Sequence, residues 1–193
     1  MSMKKIVASL IVASVSAAGV VAQQRTGAPP STPAASANPL VSSTKFGYDV
    51  FRGYLTKAAE QMKDTDYEFK PAGVAAEVRT FGQLIGHLAD ANLGICAAAA
   101  GTAPPATPKD AEKTLKTKAE LQKALADAFA FCDRAWAGTT DANAAGAADM
   151  PFGMGKSTRL AILAFNSTHN GEHYGNIVTY MRAKGLVPPS SQR

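Results

Sequence analysis

Four stretches of this chain carry apolar residues at three- and four-residue spacing, each closed by helix start and stop signals, and this limits the fold more than any other feature. From Thr44 the stripe runs Phe46, Val50, Phe51, Tyr54, Leu55, Ala58 and Met62. A capping box, Thr80 with Gln83, opens a second helix whose apolar face is Phe81, Leu84, Ile85, Leu88 and Ile95. Gly101 and the Pro104-Pro105 pair end it. Thr117 with Glu120 opens a third, with Leu121, Leu125, Ala128, Phe129, Cys132 and Trp136 on its stripe and a stop near Gly138. Ser157 or Thr158 caps a long fourth helix that runs to Lys184, with Gly185 as its stop. No segment alternates apolar and polar residues between hairpin turns, so no strand is expected. The fold class is all-α, a four-helix bundle. The connections 65–79 and 101–116 are too long for adjacent antiparallel helices, so at least one is expected to cross the bundle's length.

The chain upstream of these helices has a different character. Residues 1–22 combine a basic start at Lys4 and Lys5, an apolar run from Ile6 and small residues ending at Ala22, which is the layout of a secretory signal peptide. The run is diluted by Ser9, Ser14, Ser16 and Gly19, too much for a span of about 20 predominantly apolar residues. Residues 23–43, rich in Pro, Ser and Ala, read as an extended tether, which leaves 44–189 for the bundle. The expected location is periplasmic or secreted, with no membrane attachment after signal cleavage. Removing Lys4 and Lys5 lowers the formal charge from +5 to +3, and no basic stripe interleaved with aromatics remains to bind phosphates, which argues against nucleic acid as a partner.

All three histidines of the chain, His87, His169 and His173, map to expected helices. His169 and His173 are four apart, so they project from one helix face a turn from each other, a spacing that lets two imidazoles bind one metal. The same face carries Ile162, Asn166, Ile177 and Tyr180, which turns it to the core. His87 flanks the second helix's stripe, where it can reach a neighbouring helix. Three neutral nitrogens suit Zn, Ni, Fe or Cu rather than Mg or Ca, and three protein ligands leave coordination positions open. The competing reading is three separate, hydrogen-bonded interior histidines. Asn166 is a candidate partner for a ligand ring or bound water, or an ordinary buried amide. Gly171 and Gly175 are expected to permit a close backbone approach or an opening beside the site, and Asp90 to be a solvated charge.

The segments FGQLIGHLADAN, with its histidine, and HNGEHYGNIVTYMRAKGLVPP, with its HxxxH pair, resemble the DinB/YfiT-like metalloenzyme superfamily over residues 44–189. The resemblance implies a four-helix bundle that binds a divalent transition metal (Zn, Ni or Fe, with Zn favoured) through His87, His169 and His173. It also implies a small-molecule substrate and, as in characterised members, a low-molecular-weight thiol. Two classes remain open: a metal-dependent transferase or hydrolase, and a non-catalytic metal- or ligand-binding bundle. A homodimer is compatible with either.

An exported chain with two cysteines favours their pairing. Cys96 lies 16 residues beyond the Thr80 cap and Cys132 lies 15 beyond Thr117, so the two are level if their helices run parallel. A Cys96–Cys132 disulfide is therefore expected.

Overall fold

Pro39 fixes its own φ and lacks an amide hydrogen, which suits the first turn of a helix, and helix α1 spans Pro39–Gln61. The computed structural model describes residues 36–105 and 110–192; the expected signal peptide 1–22 and residues 23–35 of the expected tether lie outside the described residues. Helices α2 (Phe81–Ala100), α3 (Ala111–Thr114) and α4 (Lys118–Ala137) follow, then strands β1 (Ala147–Asp149) and β2 (Lys156–Thr158), and finally α5 (Arg159–Ala183). Both expected capping boxes form, at Thr80 with Gln83 and at Thr117 with Glu120. Thr158, rather than Ser157, caps α5 by accepting from the Ala161 amide.

The four long helices pack in the ring order α1, α5, α2, α4. Residue pairings give their directions. Gly47 faces Ser167, Phe51 faces Gly171 and Tyr54 stacks on Tyr174, so α1 and α5 run parallel. Gly82 abuts Leu121 while Cys96 meets Cys132, so α2 and α4 also run parallel. Between α2 and α5 the order reverses, with His87 against His173 and Asn92 against Asn166. Tyr48 reaches Asp133 and Ala59 reaches Gln122, so α1 and α4 are antiparallel. The 101–117 connection, which contains α3, therefore runs the length of the bundle. Leu55, Ile85, Leu88, Ile95, Ile162 and Ile177 are fully buried between the layers. Among the described residues no helix is long and apolar enough to cross a membrane.

Cys96 and Cys132 stand at disulfide distance, with Cα atoms 5.2 Å apart. Parallel α2 and α4 bring them level, as the count from the two caps requires.

The course of the elements departs from the sequence reading in four places. Helix α1 starts at Pro39, five residues before the expected start at Thr44, because the Asp141 carboxylate accepts from the Leu40 and Val41 amides at 3.1 and 3.0 Å. That cap lies a hundred residues away in sequence. Phe46 is 71% exposed, whereas Leu55 and Ala58 of the expected stripe are buried, as is Met62 just past the helix end; Val41 and Tyr48, outside that stripe, complete the buried face of α1. Tyr48 can sit there because its hydroxyl donates to the Phe129 carbonyl and to Asp133. Two strands exist where none was expected, an antiparallel ribbon pairing Ala147 with Thr158 and Asp149 with Lys156. At three residues each, they are too short for an alternation to register. Helix α3 is a single turn inside the long crossover, where the sequence reading places no helix.

Candidate metal centre

His87 comes from the middle of α2 and His169 and His173 from the middle of α5. The antiparallel pairing of these helices brings the three rings together. His173 Nε2 lies 3.1 Å from His87 Nε2 and 3.2 Å from His169 Nε2, and all three residues have ring nitrogens within 4.8 Å of one another. Hydrogen bonding does not account for this convergence. A ring nitrogen has one in-plane position, holding either a proton or a lone pair, so His173 Nε2 cannot make good hydrogen bonds to both neighbours at once. Nitrogens about 2.0–2.1 Å from one ion lie about 2.9 Å apart at a right angle and about 3.4 Å apart at a tetrahedral angle. The two separations fall in that interval, and the donor set fits a divalent transition metal.

The electrostatics agree. Burial, reinforced by the neighbouring His173, pushes the His169 imidazole down to about 4; burial, reinforced by His87, does the same to His173, also to about 4. His87 is lowered as well, by burial first and then by Arg79 and His169. Neutral imidazoles with free lone pairs are the form that ligates metal. In metal-free protein this has a stability consequence. Between about pH 6.5 and 4 the unfolded chain binds protons that the folded rings refuse, so folding stability should fall as the pH drops through that window. Urea denaturation at stepped pH should show the midpoint decreasing from pH 7 to 5, and a His169→Ala, His173→Ala variant should show a shallower decline.

The outer faces of the rings differ. His87 Nδ1 hydrogen-bonds Glu112 Oε2 at 3.2 Å, and Glu112 Oε1 accepts from Arg79 Nε at 2.9 Å. His173 Nδ1 lies 3.4 Å from the Asn176 amide. His169 Nδ1 is buried with no partner among the described residues. On one side, His173 lines a cavity of about 470 Å³ whose other walls include Val74, Val78, Leu84, Asn176 and Tyr180.

Among the described residues the hydrogen bonds of the Asn166 side chain go to other amides. Its amide donates to Asn92 Oδ1 at 2.9 Å, and Asn170 completes a buried cluster by accepting from Asn92 Nδ2 at 2.8 Å. The cluster ties α2 to α5 beside the histidines. Gly171 is a close approach, since a Cβ there would meet the Phe51 ring at 2.9 Å; Gly175 is an opening, with nothing within 4 Å. Asp90 is not a free solvated charge. Its carboxylate accepts from the Ala111 and Glu112 amides at 2.9 and 3.1 Å and so caps α3.

Sequence reasoning missed Glu112, Arg79 and Asn92. Nothing in the local pattern ties Glu112 to a histidine 25 residues earlier. Asn92 did leave a signal, a polar residue one turn beyond Leu88 on an apolar helix face. Gly86, beside His87, left another, a glycine inside a helix.

A helical bundle with three converging imidazoles on two facing helices is the class that fold and site define together. The DinB superfamily model matches residues 48–177, and the chain belongs to that superfamily. Among solved structures, a DinB-like protein from Bacillus cereus is similar, with 17% identity, a TM-score of 0.63, and coverage of 77% of this chain and 95% of that one. A conserved protein from Enterococcus faecalis has 16% identity and a TM-score of 0.58 over 74% of this chain and 95% of that one. The mycothiol-dependent maleylpyruvate isomerase has 16% identity and a TM-score of 0.53 over 79% of this chain and 78% of that one. No curated protein sequence matches this chain significantly.

Proposed function

We propose that this chain is an exported DinB-type protein that holds one divalent transition metal, Zn²⁺ by preference, through Nε2 of His87, His169 and His173, and that it is a metal-dependent enzyme acting on a small molecule. The observation that carries the proposal is the convergence of three ring nitrogens beside a cavity to which His173 itself contributes a wall. When bound, the ion supplies Lewis acidity to a group entering its open positions. The protein supplies the rest. Its imidazoles are held neutral, so they take up the ion with little proton release near neutral pH. Val74, Val78 and Leu84 offer an apolar wall for the body of a substrate, and Asn176 and Thr179 offer polar groups to orient it.

Low-molecular-weight thiols enter as candidate cosubstrates because a similar fold belongs to a mycothiol-dependent isomerase. Export is supported by the signal-like layout of residues 1–22 and by a cysteine pair at disulfide distance. The test is a panel of activated esters, amides and epoxides, assayed with the zinc-loaded chain in the presence and absence of thiols. Turnover that needs both metal and thiol is expected of a transferase, and thiol-independent turnover of a hydrolase. A protein that binds zinc tightly yet converts nothing on the panel would replace the enzyme reading with that of a metal- or ligand-binding bundle.

A further inference from the structure

We infer that Glu112 is the positioning residue for His87, fixing its imidazole as the Nδ1–H tautomer so that Nε2 keeps its lone pair towards the three-histidine centre; the metal consequence of this rests on the function proposed above. A carboxylate has no proton to give near neutral pH. The 3.2 Å contact between His87 Nδ1 and Glu112 Oε2 is therefore made by the ring donating, which leaves Nε2 as the unprotonated nitrogen.

Glu112 is delivered to this position by the docking of α3 onto α2, which also buries Ala111 against Ala89 and Leu93. It sits in α3, a single turn in the crossover, too short to hold itself in place. Both oxygens of Asp90, three residues after His87 on α2, cap the Ala111 and Glu112 amides and dock α3 onto α2. Gly86 makes the docking close enough, because a Cβ there would stand 2.6 Å from Glu112 Cα and 2.7 Å from its amide nitrogen. Arg79 Nε then takes Oε1 and leaves Oε2 for the ring. Among the described residues Glu112 is the one carboxylate in contact with a ring of the cluster; His173 has an amide partner, and His169 Nδ1 has none.

The test combines ¹⁵N long-range NMR of the histidine side chains with zinc affinity measured by competition against a chromophoric chelator, on the wild-type chain and on Glu112→Gln and Glu112→Ala. In metal-free wild type near neutral pH, the His87 resonances should show the Nδ1–H form. In Glu112→Ala they should show a mixture of tautomers, and the zinc Kd should rise about 10- to 100-fold. Glu112→Gln, whose amide oxygen can still accept from Nδ1–H, should keep the tautomer and lose less affinity. The inference is overturned if wild-type His87 is the Nε2–H tautomer, or if both variants match the wild type in tautomer and in Kd. If the wild type takes up no zinc while His87 holds the Nδ1–H form only with Glu112 present, the metal reading fails and the positioning role stands.

Discussion

Zinc at a free concentration a thousandfold above its Kd should stabilise the folded chain by about 4 kcal/mol, and a His169→Ala, His173→Ala variant should lose the whole increment. The size follows from linkage: an ion that binds the folded state alone stabilises it by RT ln(1 + [Zn]/Kd), which a thousandfold excess over Kd sets at this value. In the unfolded chain His87 is 82 residues from His169, so the three-ring arrangement exists only once α2 and α5 have packed. For a domain of this size the increment corresponds to a rise in Tm of about 8–16 °C, readable by circular dichroism with and without a chelator. Equal melting temperatures in the two conditions would contradict the prediction.

Replacing both Cys96 and Cys132 by alanine should cost about 3–4 kcal/mol. The bond closes a loop with a sequence separation of 36, and the chain-entropy argument assigns a loop of that length a stabilisation of this order. The loop contains the crossover and α3, so the bond ties down the connection that two parallel helices make unavoidable. Denaturant titration of the variant against the oxidised wild type measures the cost. A difference under about 1 kcal/mol would mean that helix packing alone sets the α2 to α4 register.

The sequence discloses the parts of this molecule that rest on local rules. The capping boxes at Thr80 and Thr117 satisfy amides within their own first turn, and the i,i+4 spacing of His169 and His173 is a property of one helix, so all three can be seen without tertiary knowledge. The level placement of Cys96 and Cys132 follows from counting along two helices. What escapes the sequence is set by contacts across the fold. The start of α1 depends on Asp141, the burial of Tyr48 depends on acceptors on α4, and Glu112 reaches His87 only because α3 docks against Gly86. Asn166 shows the intermediate case. Its polarity on a buried face was visible, but its partner could be named only after α2 and α5 were placed antiparallel, with Asn92 rather than a histidine ring opposite it.

The proposed function requires one ion held by three imidazoles. An anomalous difference map at the zinc edge, from crystals grown with zinc, tests it most directly. The prediction is a single strong peak about 2.0–2.1 Å from Nε2 of His87, His169 and His173 together. No peak at that point, or a peak bound to only one of the three rings, would contradict it.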